Sequence, residues 1–167
     1  MKRSLSAIIF LLICSIIPAQ DYTVPKDYKL VTPEDYNSYE PQVKETINWL
    51  LQTPVAKEQT KRKEANAFFL AWLTGSPTVS INVNTDFIMF KSNPELLMIF
   101  IAGWTKYSLN SDYSKDVLEG NKAGIETVVE FYKKNKAYLQ KDKEVEQFAK
   151  LIEKGKLENE IKKKLKL

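Results

Sequence analysis

The chain has 167 residues, with 25 Lys and Arg against 21 Asp and Glu, one Cys and no His. The thiol, Cys14, lies inside an N-terminal apolar run, so a processed chain would carry neither thiol nor imidazole. Those absences exclude Cys–His and Ser–His nucleophile pairs, His or Cys metal ligation, disulfides and an imidazole pH switch.

Lys2 and Arg3 precede the apolar run 5–17, which Pro18 breaks, and Ala19 is a small residue suited to cleavage. This pattern reads as a secretory signal peptide over residues 1–19. The run is too short to cross a hydrocarbon layer of about 30 Å as a helix. A bacterial lipoprotein is the less favoured reading. A lipobox needs a small residue before its Cys, and here Ile13 occupies that place, with Ile16 and Ile17 continuing the apolar run. Cleavage after Ala19 leaves 148 residues with 23 basic against 21 acidic side chains, a balance of +2. That balance is too slight for a nucleic-acid footprint. The expected location is periplasmic or secreted, in a bacterium, with no transmembrane segment in the mature chain.

Residues 20–38 are polar, contain Pro25 and Pro33, and read as an extended lead-in. Tyr22, Tyr28 and Tyr36 along it are expected to staple it onto a helical body. A single helical domain should fill residues 39–167, since a chain of this length can bury one ordinary core. After Pro41, Val43, Ile47, Leu50 and Leu51 make one helical stripe, ended by Pro54. A second helix starts near Ala56. Its charged first turns give way to Ala65, Phe68, Phe69, Trp72 and Leu73, with Gly75 as a C-terminal cap.

The period then changes. Val79, Ile81 and Val83 alternate with Ser80 and Asn82, Asn84-Thr85-Asp86 resembles a turn, and Phe87-Ile88-Met89-Phe90 is a second extended stretch. A short extended or β-hairpin insertion is predicted near 78–90. Asn93-Pro94-Glu95 should open the central helix with Asn93 as its cap. Apolar residues all round 96–104 indicate burial, with Leu97, Phe100, Ile101 and Trp104 in the core against Phe69, Trp72, Val128 and Tyr132. Ser114 opens a further helix containing Gly120 and Gly124, which suggest a bend or a close crossing. Asp142 starts the next, ended by Gly155, and a short basic helix closes the chain. The fold class is therefore mainly all-α: a compact bundle of five to six helices in helical hairpins. Trp72 and Trp104 stand 32 residues apart, near a tetratricopeptide period, but no third copy or core pattern supports a repeat.

Most site chemistry fails on the residues. The glycines form no phosphate loop, and Gly-x-Ser-x-Gly and Ser-x-x-Lys are absent. Asp112, Asp116 and Glu119 cluster at a loop-to-helix junction and are weak candidates for calcium. However, Lys115 and Asn121 stand where an EF-hand loop counted from Asn110 needs Gly and an acid. These acids are better explained as helix N-terminal residues. Asn121 is the one polar residue on its apolar face and a candidate pocket group. Residues 154–167 carry six Lys against Glu158 and Glu160. Lys162, Lys163 and Lys164 are therefore candidates for contact with an anionic surface or protein, as Val79, Ile81 and Val83 are for strand-edge binding. No catalytic residue, metal site or cofactor is assigned. The expected function is an exported, non-enzymatic helical module binding a protein or cell-envelope component. The alternative is a small exported carboxylate-dependent hydrolase or ligand-processing enzyme, which would need two facing acids across a cleft.

Overall fold

The computed structural model describes residues 22–85 and 87–167. The signal peptide over 1–19, and Cys14 with it, lies outside them. Among the described residues the fold is mainly helical, with seven helices and no strand. They are α1 (Pro33–Ser38), α2 (Glu40–Gln52), α3 (Gln59–Gly75), α4 (Glu95–Asn110), α5 (Val117–Asn135), α6 (Lys143–Glu153) and α7 (Leu157–Leu165). No described helix is long and apolar enough to cross a membrane.

The lead-in is extended only to its middle. Thr32 and Asp35 form a reciprocal capping box and Pro33 occupies the first turn, so the polar sequence Pro33–Ser38 closes as the short helix α1. The tyrosines fasten this segment to the body. The Tyr22 hydroxyl lies 2.8 Å from Thr46 Oγ1, the Tyr28 ring meets Phe68 edge-on at 5.0 Å, and Trp72 Nε1 donates to the Tyr36 carbonyl at 2.8 Å. The glycine at 75 answers to the same packing rather than to a left-handed cap. A Cβ there would fall 1.9 Å from the Tyr36 hydroxyl.

α3 starts three residues later than the pattern near Ala56 suggests, after a left-handed Glu58 with φ of 49°. α5 opens at Val117 rather than Ser114, because Asp116 supplies the cap by accepting the Glu119 N–H. Asn93 does not cap α4. Its amide instead donates to the Gln140 carbonyl and to Asp142, and its oxygen accepts the Gln140 N–H. Gly155, at φ of +61°, closes α6, where Lys156 and Gly155 return N–H bonds to Leu151 and Ile152.

Of the two forms expected near 78–90, the β-hairpin is not seen among the described residues. The segment is an irregular crossover, and several of its backbone donors find side-chain and turn partners rather than a second strand. Phe87 and Ile88 donate to the Asn84 carbonyl, while Met89 and Phe90 donate to the two carboxylate oxygens of Glu144 on α6. The alternation of Val79, Ile81 and Val83 reflects burial against helices. Val79 is buried, and Ile81 and Val83 are half-buried. Phe87, Ile88 and Phe90 are buried too.

The core divides into two apolar clusters that meet on α4. One joins the lead-in, α2, α3 and Val79 to Ala102 and Leu109. The other joins Phe87, Ile88, Phe90, Leu96, Phe100 and Trp104 to α5, α6 and α7. Phe100 and Trp104 therefore meet Val128 and Tyr132 as expected, while Phe69 and Trp72 belong to the other cluster. Leu97 and Ile101 are half-buried at its flanks. α4 and α5 cross closely because glycines allow it. A Cβ on Gly120 would lie 2.1 Å from Trp104 Nε1, and one on Gly124 would lie 2.6 Å from the Phe100 ring.

Candidate functional site: a polar cleft between helices

Where α2 faces α4 and α5, the apolar contact gives way to an open cleft of about 300 Å³. α2 supplies Asn48, Leu51 and Gln52, α4 supplies Lys106, and α5 supplies Thr127, Glu130, Phe131 and Lys134. Helical spacing explains the α5 wall: residues 127, 130, 131 and 134 follow i, i+3, i+4, i+7 and share one face. Across the cleft, Lys106 Nζ donates to Asn48 Oδ1 at 3.0 Å. Lys134 Nζ donates to Glu130 at 2.6 Å. That hydrogen bond and the Lys134 charge, with Lys106 adding in the same sense, hold the Glu130 carboxyl below the usual glutamate range. The Thr127 hydroxyl donates to the Ala123 carbonyl at 2.7 Å, which leaves its oxygen free to accept.

Glu130 is the one acid among the described residues that line the cleft, and its pairing with Lys134 favours the charged form. Below the cleft, the buried Phe131 also borders a cavity of about 10 Å³ shared with Arg62 and Asn66 of α3. Arg62 is buried. It donates through Nη1 to the Leu50 carbonyl at 3.2 Å and through Nη2 to the Thr53 carbonyl at 2.5 Å, so it serves the C-terminal end of α2. Trp49 and Phe131 flank its guanidinium at 5.6 and 5.8 Å. Burial pulls this guanidinium below its ordinary range.

The residues singled out by sequence fall elsewhere. Asp116 caps α5, Glu119 pairs with Lys122 at 3.4 Å, and Asp112 sits in the left-handed turn between α4 and α5. No group of three Asp, Glu, His or Cys among the described residues is placed to hold a metal ion. Asn121 is buried and its amide donates to the Val117 carbonyl one turn back at 2.8 Å; it does not line the cleft. Val79 is in the core, and Ile81 and Val83 run in a segment with no strand edge. Lys162 pairs with Glu158 at 2.5 Å, while Lys163 and Lys164 are exposed. The apolar stripe of α7 is spent internally, with Leu157 and Ile161 buried in the core.

None of the cleft's polar residues, Asn48, Gln52, Lys106, Thr127, Glu130 and Lys134, stands out in the sequence as a site group. The i, i+3, i+4, i+7 face of α5 was the available signal. The match to α2 and α4 depends on tertiary packing, because Asn48 and Lys106 stand 58 residues apart. No protein-family model, curated protein or solved structure matches the chain significantly.

Proposed function

We propose that the chain is an exported, non-enzymatic binding protein that holds a small polar ligand in the cleft between α2, α4 and α5. One observation carries this reading: amide, hydroxyl and ammonium groups converge from three helices around a cleft whose one carboxylate is already neutralised by Lys134. Pockets that fix a ligand through a few convergent polar groups take this form. The signal-like segment over residues 1–19 supports export. A carboxylate-dependent hydrolase has less support, since it needs a second acid across the cleft.

A thermal-shift screen of small polyols, organic acids and amines against residues 20–167 tests the reading. We expect saturable stabilisation by at least one class, reduced by Gln52→Trp, which crowds the cleft at an exposed position. Hits indifferent to that substitution would overturn the cleft assignment. Turnover of a hit that Glu130→Gln abolishes would overturn the non-enzymatic reading.

A further inference from the structure

The cleft's charge is unevenly used. Glu130 is paired with Lys134 at 2.6 Å and also feels the charge of Lys106, whose ammonium hydrogen-bonds the neutral Asn48 side-chain oxygen, so two ammonium groups face one carboxylate. One ammonium thus remains to be matched, and a ligand carrying one negative charge would match it. The rest of the lining is uncharged and suited to hydroxyl groups. Asn48 and Gln52 each offer amide donors and an acceptor, and Thr127 keeps lone pairs to accept. Leu51 adds an apolar strip for a C–H face. At about 300 Å³ the cleft sits at the small end of ligand pockets, room for a single ring rather than an extended chain.

We infer that the ligand is a monoanionic polyol of one ring, a sugar acid, with its carboxylate on Lys106 Nζ in place of the Asn48 oxygen. This rests on the cleft reading and narrows it to a chemical class. The carboxylate gains a charge-assisted bond, and the displaced Asn48 amide turns to a ring hydroxyl. Because the site is open to water, the charge contributes modestly and should be screened by salt.

Three pyranoses of one shape and different charge test the inference: glucuronate, glucose and glucosamine. Each is titrated into the ¹⁵N-labelled chain over residues 20–167, with amide shifts read at Asn48, Gln52, Lys106 and Thr127. Glucuronate should shift these amides saturably, and glucose should bind about five-fold more weakly, the effect of one partly exposed ion pair. Lys106→Met should weaken glucuronate and bring it toward the glucose affinity, with a smaller effect on glucose. Glu130→Gln should tighten glucuronate. Methyl glucuronide carries the linkage carbon of a glycan end. If it binds as well as glucuronate, the source can be a glycan; if it fails, the source is the free acid, and both results support the class. Equal binding of glucose and glucuronate, indifferent to Lys106→Met, would overturn the sugar-acid class and leave the cleft reading standing. No shift from any of the three would overturn the class, and a polyol and acid screen without hits would remove the cleft reading as well.

Discussion

Single side chains carry much of the specificity of this fold. Glu144 gives both carboxylate oxygens to the Met89 and Phe90 amides, at 3.2 and 2.9 Å, and so holds a crossover that has no ladder of its own. It also fixes Phe90 at φ of 43°, a left-handed setting that a bulky residue adopts only when its surroundings enforce it. Glu144→Ala leaves the part-buried Phe90 N–H without its partner while the exposed Met89 N–H turns to water, and we expect a loss of about 1–2 kcal/mol in urea unfolding. Gly120 shows the opposite constraint. Ala in a helix interior normally gains about 1 kcal/mol over Gly, but here its Cβ would fall 2.1 Å from the indole nitrogen of Trp104. Overpacking costs about 1–3 kcal/mol, so Gly120→Ala should lower the melting temperature; a rise would contradict the close crossing. Titration gives a third residue-scale test. Glu130 is depressed in the folded chain, so its contribution to stability is present above the unfolded glutamate pKa and fades as pH falls through the folded one. Its side chain is 70% exposed, which keeps that contribution small. An NMR titration should find its midpoint below that of an ordinary glutamate, and Lys134→Met should return it toward that value.

At the scale of elements, helix faces were legible and connections were not. The stripes of α2 and α3 followed from apolar spacing, and burial confirms them at Val43, Ile47 and Leu50 and at Phe68, Phe69 and Trp72. α1 escaped because six polar residues have no apolar period; only Thr32, Pro33 and Asp35 announced it. The hairpin over 78–90 failed because alternation records which side chains are buried, not which backbone groups pair. Its donors went to Glu144, 54 and 55 residues away, a partner that no local pattern encodes. The Asn93-Pro94-Glu95 start was read correctly as a helix opening, but Asn93 was taken by the loop before α6. α4 itself behaves as the central helix, since both apolar clusters draw on it. Phe100 is fully buried, and Phe100→Ala should cost about 3–5 kcal/mol. Unchanged thermal stability in that variant would remove α4 from the centre of the core.

Across the whole molecule, the cleft opens beside Leu51, which packs against both apolar clusters. The buried residues of α2 belong to one cluster and those of α5 to the other, and polar side chains line the cleft from both helices. None of this seam could be read from spacing along the chain, because its walls come from residues 48–52, 106 and 127–134. The most direct test of the central claim is a crystal structure of residues 20–167 soaked with glucuronate. The account predicts sugar density between α2 and α5 with a carboxylate oxygen at hydrogen-bond distance from Lys106 Nζ. Ordered sugar elsewhere on the surface, with the Lys106–Asn48 bond intact, would contradict it.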